Sequence, residues 1–412
     1  MNMRIDKIKF LDTLLHWGIL LFCGAIPFSI AASQIGIIVA LISWGLLSII
    51  KRKLIWKKNV MTIPIVIFLF TQFLSILFSI DVGRSIHEFR SYWHILIFFL
   101  VVSCCDKEFV KKCVIVLVVS TVVASCIGCG QYIYTRFLAP ALLGQKRISG
   151  TMSMYMTYSG ILMMVGIVAL TLFLYGEKIA KKRLLFCAGS GIIVFALILS
   201  LTRSAWLGFV CGVIVIGVMK DRLLLLLLVG SLVAAFIFAP QDVRERAKGV
   251  FKGKSTVIEE GKAVNQGDER MVLWKSGLQV MYHYPITGVG LLNFRKAYPQ
   301  FLSYTPKKNF NHAHNNFIHL GAETGFVGLL AFIMLIGVYL WYIMRKVYRL
   351  SITEKSYGAG VAIGVMGAFV AFIIAGLFEY NFGDSEVAML LWFLMAAPFV
   401  FLGSETNNKE AA

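Results

Sequence analysis

The chain has 412 residues, 58% of them hydrophobic, and a formal net charge of +19 although only 15% of its residues are charged. Apolar runs of roughly 15 to 25 residues recur from end to end, close to the ~20 that cross ~30 Å of hydrocarbon, and this excludes a soluble globular domain. In such a chain Lys and Arg report which loops face the cytoplasm rather than nucleic-acid binding.

In chain order the apolar segments predict spans near 11–29, 31–50, 60–80, 93–105, 113–135, 155–175, 184–201, 205–219, 223–239, 317–344, 357–378 and 387–403. The expected fold is therefore all-α, a polytopic membrane protein of about 12 transmembrane helices. Alternate connectors are basic: "KRKLIWKK", "DKEFVKK", "GEKIAKKR", "KDR" and "RKVYRL". The positive-inside rule puts them, and both termini, on the cytoplasmic side. The opposite side carries one long segment, Pro240 to Asn316, between spans 9 and 10. The chain divides into spans 1–9 (1–239), the large loop (240–316), and spans 10–12 with a cytoplasmic C-terminus (317–412). "MNMRIDKIKF" and the "SIA" before Ala32 suggest a signal peptide, but the apolar run between them exceeds a usual h-region and reads as the first span.

All eight cysteines fall in or beside spans, so no disulfide framework or zinc ribbon is encoded, and the Cys126–Cys129 pair reads as small packing residues. "GVFKGKST" (249–256) fails as a phosphate-binding loop, because the spacing needs glycine where Lys248 stands.

Residues 184–219 form 36 nearly uninterrupted apolar positions, about 54 Å as one helix. The chain must turn back near "LTRSAW", which leaves Arg203 at the edge of the hydrocarbon, either snorkelling or binding a lipid phosphate. Arg270 opens "RMVLWKSGLQVM", where Met271, Trp274, Leu278 and Met281 recur at helical spacing and suggest an amphipathic helix on the membrane surface. It is a solvated helix-start residue or a planar fork for a diphosphate. Arg147 and Asp384 are charges of two further loops on the same face; Asp384 has Glu379 and Glu386 as neighbours, which dilutes its claim.

"HAHNNFIHLGAETGFVGLL" (312–330) sets three histidines within eight positions. His312, His314, His319 and Glu323 offer donors for zinc, yet no H-E-x-x-H spacing occurs. Asn315 or Asn316 as a helix N-cap explains the asparagines, while a proton-transfer role explains at least one imidazole.

His314-Asn315, nine residues, then Gly325-Phe-Val-Gly328 resembles the H-[NSQ]-x9-G-x-x-[GTY] pattern of bacterial O-antigen ligases, and "TRSAW" and "RMVLW…HYPITGVG" look like the same ligase and polymerase superfamily. The resemblance implies transfer of a glycan from undecaprenyl diphosphate to a sugar hydroxyl of the lipid A core, at the periplasmic face of the bacterial inner membrane. It implies no cofactor, nucleotide or metal. His314 becomes the candidate general base, Arg203 and Arg270 the diphosphate ligands, and Arg147 and Asp384 supporting residues. The partners expected are the lipid-linked donor, the lipid A core acceptor and membrane lipids, with no nucleic acid. A polysaccharide polymerase or protein O-glycosylase shares this donor chemistry. A lipid-sugar transporter fits less well, since the spans are nearly free of charge and transporters carry polar or broken ones.

Overall fold

The computed structural model describes residues 2–138, 147–176, 180–220, 256–259, 262–302, 310–350 and 356–402, with isolated positions between 222 and 230. In chain order the first helices are α1 (Asn2–Ala25), α2 (Ile30–Ile50), α3 (Thr62–Leu77), α4 (Val82–Phe89), α5 (Leu96–Cys104), α6 (Lys107–Ile133), α7 (Tyr155–Thr171), α8 (Ala180–Leu199) and α9 (Arg203–Lys220). A short antiparallel hairpin follows, β1 (Thr256–Glu259) and β2 (Lys262–Asn265), with Val257 opposite Val264. Then come α10 (Gln266–His283), α11 (Phe294–Ala297), α12 (Asn316–Tyr348), α13 (Tyr357–Ala375) and α14 (Ser385–Leu402).

Eight helices among the described residues are long and apolar enough to cross a membrane, namely α1, α2, α6, α7, α9, α12, α13 and α14. The chain is a multi-pass membrane protein. Helices α3 and α8 coincide with expected spans, but their apolar stretches, Thr62–Leu77 and Arg183–Leu199, are shorter than the other eight, and the span expected at 93–105 begins as a 3₁₀ turn over Arg90–Ile95 before α5. The ninth expected span, 223–239, falls almost wholly outside the described residues, as do 240–255 of the large loop with nearly all of "GVFKGKST" and the tail from 403.

Lipid is the solvent for the outer helices. Trp17, Ile49, Ile63, Phe70 and Leu330 are exposed apolar side chains on α1, α2, α3 and α12, which water would penalise and hydrocarbon accepts. Helices α7, α13 and α14 are buried over most of their length and form the centre. Hydroxyls inside this centre find carbonyls. Tyr158 donates to the Ala124 oxygen at 3.0 Å and Tyr339 to that of Met395 at 3.2 Å, joining α7 to α6 and α12 to α14.

Hydrophobic burial gives little drive between helices in lipid, so close backbone approach matters more. Gly208 and Gly212 on α9 face Ala371 and Gly367 on α13. A Cβ at either α9 position would lie 2.5 Å from a carbonyl oxygen of α13.

Two backbone features set up the loop side. The expected reversal at "LTRSAW" is present between α8 and α9, with Leu201 at φ 53° and the Trp206 indole donating to the Leu197 oxygen at 2.8 Å. Arg203 thus starts a helix. The second feature is a break in α12 at Gly325 (φ 68°, ψ −172°). There the "HYPITGVG" segment lies against the helix: Phe326 N–H donates to the Pro285 oxygen, Val289 N–H to that of Ala322 and Gly290 N–H to that of Glu323. A Cβ on Gly325 would lie 2.3 Å from the Ile286 oxygen, so positive φ and proximity both require glycine there.

Replacing Gly212 with Val should force α9 from α13 and destabilise the fold by about 1–3 kcal/mol, as overpacking does. Gly337, where nothing lies within 4 Å of an added Cβ, should accept Ala. Thermal unfolding in detergent micelles, followed by size-exclusion chromatography, reads both; equal midpoints for wild type and Gly212→Val would refute the close-packing account.

Candidate active site

The site is assembled where the N-terminus of α12 meets the loop between α13 and α14. Asn315 caps α12, its side-chain oxygen accepting from the Phe317 and Ile318 N–H groups at 2.9 and 3.0 Å, while its amide donates to the Leu377 oxygen at 2.9 Å. Asn316 is buried. Its backbone N–H donates to the Gly376 oxygen at 2.7 Å, its amide to the Asn381 side-chain oxygen at 2.6 Å, and its own side-chain oxygen accepts from Phe382 N–H at 3.1 Å. The two asparagines therefore hold the 376–382 loop at both ends. Between those anchors lies Glu379.

Glu379 Oε1 is 2.9 Å from His314 Nδ1, and Oε2 is 3.7 Å from an Arg270 guanidinium nitrogen. The second distance is too long for a hydrogen bond, so that pair is electrostatic. Burial opposes ionisation of Glu379, yet its hydrogen bond to His314 and the nearby His314, His312 and Arg270 charges hold its carboxyl below the usual range. An ionised Glu379 requires the proton on His314 Nδ1 and leaves Nε2 as the basic nitrogen. His314 itself sits at φ 50°, a left-handed backbone that a non-glycine residue adopts at a cost on the order of 1–3 kcal/mol.

The arginines converge here. Arg270 lies on α10, four residues before Trp274, whose ring is 6.2 Å from that of Phe378, beside Glu379. Arg203 is within electrostatic reach of both Arg270 and Arg147. Arg147 also stacks on Tyr155 at the start of α7, 4.4 Å from the ring centroid. With Arg270 on Glu379, the neighbouring Arg203 and, beyond it, Arg147 leave a local excess of positive charge.

Asp384 sits apart from His314. It accepts a hydrogen bond from the Thr157 hydroxyl and caps α14 through Val387 N–H at 3.3 Å, and burial pushes its carboxyl up. It nevertheless shares with His312, Glu379 and Thr157 the wall of a cavity of about 330 Å³, within the roughly 300–1,000 Å³ typical of small-molecule sites.

Two expectations change. Helix α10 forms, but it buries Leu273, Ser276, Gly277 and Val280 while Met271 and Leu278 stay exposed, because the α12 N-terminal turns supply the packing partner: a Cβ on Gly277 would lie 2.5 Å from Ile318. Glu379, set aside as a charge diluting Asp384, is the carboxylate on the histidine. The available signal was a glutamate directly after the apolar run "AFIIAGLF", where an unpaired charge is costly.

The histidines separate into two groups. His319 pairs with Glu323 at 3.5 Å, and Glu323 accepts from Phe294 N–H at 3.0 Å, fixing the start of α11. His312, His314 and Glu379 each bring one donor atom within 4.8 Å of the others, a set that could hold a metal ion, with Arg270 as a competing cation on the same carboxylate.

Burial, aided by the His314 charge, drives the His312 imidazole from 6.5 down to about 4. Between those values the unfolded chain binds a proton that the folded chain refuses, so stability falls as pH drops from 6.5 to 4. His312→Asn should flatten that fall in a plot of unfolding midpoint against pH; parallel curves for the two proteins would contradict it.

Residues 188–333 match a family model described as O-Antigen ligase. A comparison with curated proteins finds no match. The matched segment contains Arg203, Arg270, His314 and the Gly325 break, whereas Arg147, Glu379 and Asp384 lie outside it. That match, in a multi-pass helical chain, supports membership of the O-antigen ligase and polymerase superfamily.

Proposed function

We propose that the chain is an O-antigen ligase of the bacterial inner membrane, transferring a glycan from undecaprenyl diphosphate to a sugar hydroxyl of the lipid A core on the periplasmic face. The observation that carries this reading is the contact of His314 Nδ1 with Glu379 beside the Arg203, Arg270 and Arg147 cluster. In the proposed step His314 Nε2 removes the acceptor hydroxyl proton as that oxygen attacks the anomeric carbon. The bond from the anomeric carbon to the diphosphate oxygen breaks, and its electron pair leaves with the diphosphate. Glu379 orients the imidazole and stabilises the imidazolium, the role a buried carboxylate plays beside a histidine base. Arg203 and Arg270 offset the charge developing on the leaving group, with Arg147 in support, while Asp384, held by Thr157, shapes the wall of the adjoining cavity. Neither a metal nor a nucleotide takes part.

The decisive assay is transfer of labelled glycan from undecaprenyl diphosphate to lipid A core in reconstituted membranes. His314→Ala should lose about 10²–10⁴-fold, the share general-base catalysis contributes. Glu379→Gln should approach it, while His312→Ala and His319→Ala cost less. Activity should survive a strong chelator. Loss on chelation, restored by zinc, would transfer the histidines to a metal site, and lengthening of the glycan on its carrier would identify a polymerase.

The arginines are tested separately. A lysine keeps the charge but loses the planar fork, so Arg203→Lys and Arg270→Lys should recover little of the roughly hundredfold lost on Ala substitution. Lysine snorkels as well as arginine does, so a merely snorkelling Arg203 would give a near-normal Arg203→Lys enzyme. Exposed Lys275 on α10 serves as the control and should tolerate Ala.

A further inference from the structure

A second cavity, about 850 Å³, lies at the far end of α12 from His314. From the Gly325 break to Arg349 the helix runs about 35 Å, slightly more than the ~30 Å hydrocarbon layer, so the two cavities open at opposite membrane surfaces. The second is bounded by the ends of α12 and α14 and by the connectors before α3 and α6. Six of its lining residues are cationic: Lys57, Lys58, Lys107, Arg345, Lys346 and Arg349. Its one carboxylate, Asp106, already accepts from Phe109 N–H at 2.8 Å as the cap of α6.

Two of these cations lie over aromatic rings, Arg345 at 5.4 Å from the Trp341 centroid and Lys346 at 5.9 Å from that of Tyr342. Trp341 also belongs to the exposed apolar stripe of α12, with Leu330, Ile333 and Met344. Ile63, Val66 and Phe70 form a similar stripe on α3, which packs against α12. A basic chamber thus continues directly into an apolar surface. A free anion would use only the chamber, whereas an amphiphile with an anionic head and apolar tails uses both.

We propose that this cavity binds the phosphate-bearing headgroup of an anionic glycerophospholipid whose acyl chains lie along the α12 and α3 stripes. The site is separate from the transfer chemistry and does not depend on it. It ties the basic ends of α12 and the α3 and α6 connectors to one membrane surface, so bound lipid stabilises the bundle where six like charges would otherwise repel.

The test uses the full chain in neutral detergent, with phosphatidylglycerol, phosphatidylcholine and inorganic phosphate as probes. Native mass spectrometry should show phosphatidylglycerol retained over phosphatidylcholine. Removing cations together in Lys57→Gln, Lys107→Gln, Arg345→Gln and Arg349→Gln should weaken retention on the order of fivefold per charge. The control set Lys51→Gln, Arg52→Gln and Lys53→Gln, on neighbouring cations outside the cavity, should leave it unchanged, and Arg345→Lys with Arg349→Lys should keep most of it. If the neutralised variant does not fold, the wild type decides: phosphatidylglycerol should raise its unfolding midpoint while phosphatidylcholine and inorganic phosphate do not. Equal retention of the two lipids, equal loss in the control set, or equal protection by inorganic phosphate would overturn the proposal.

Discussion

The candidate site depends on two adjacent asparagines. Asn315 and Asn316 terminate α12 and also anchor the 376–382 loop. Buried amides must satisfy both donor and acceptor groups, so such a clamp has few geometries available to it. It leaves Glu379 facing His314 across 65 residues of sequence. The positive φ of His314 is held by the same closure, since the neighbouring N-cap and the glutamate contact together fix both ends of that residue.

The second structural device is the broken α12. Gly325 interrupts the helix, and the freed carbonyls of Ala322 and Glu323 accept from Val289 and Gly290 of the "TGVG" segment. Ser75 of α3 donates to the same Glu323 oxygen at 2.7 Å, and Asn293 reaches Ser79 and Ser85 at 2.9 and 3.1 Å. The loop between α10 and α11 is thereby sewn to α3, α4 and α12 rather than left on the surface. That is why α10 can present Arg270 to Glu379: its own buried face packs on α12. An irregular segment at membrane depth survives because its polar groups are paired inside protein.

Charge is distributed with the same economy. The helical centre of α7, α13 and α14 carries almost none, and cations collect at the two ends of the bundle. At one end they surround an ionised carboxylate and a histidine; at the other they line a chamber continuous with lipid-facing helix surfaces.

The sequence by itself determined the membrane class, the positions of most helices, the reversal before Arg203, the N-cap within "HNN" and the interest of His314. Each of these is a local property: a run long enough for hydrocarbon, or a capping residue beside a helix start, is legible within a few turns. Other features needed the tertiary structure. The pairing of His314 with Glu379, the face that α10 buries, the break at Gly325 and the joining of Lys57, Lys107 and Arg345 in one cavity all involve residues far apart in the chain. Composition shows that a glutamate near an apolar run needs a partner, but which partner it meets is decided only when helices pack and their loops close over one another.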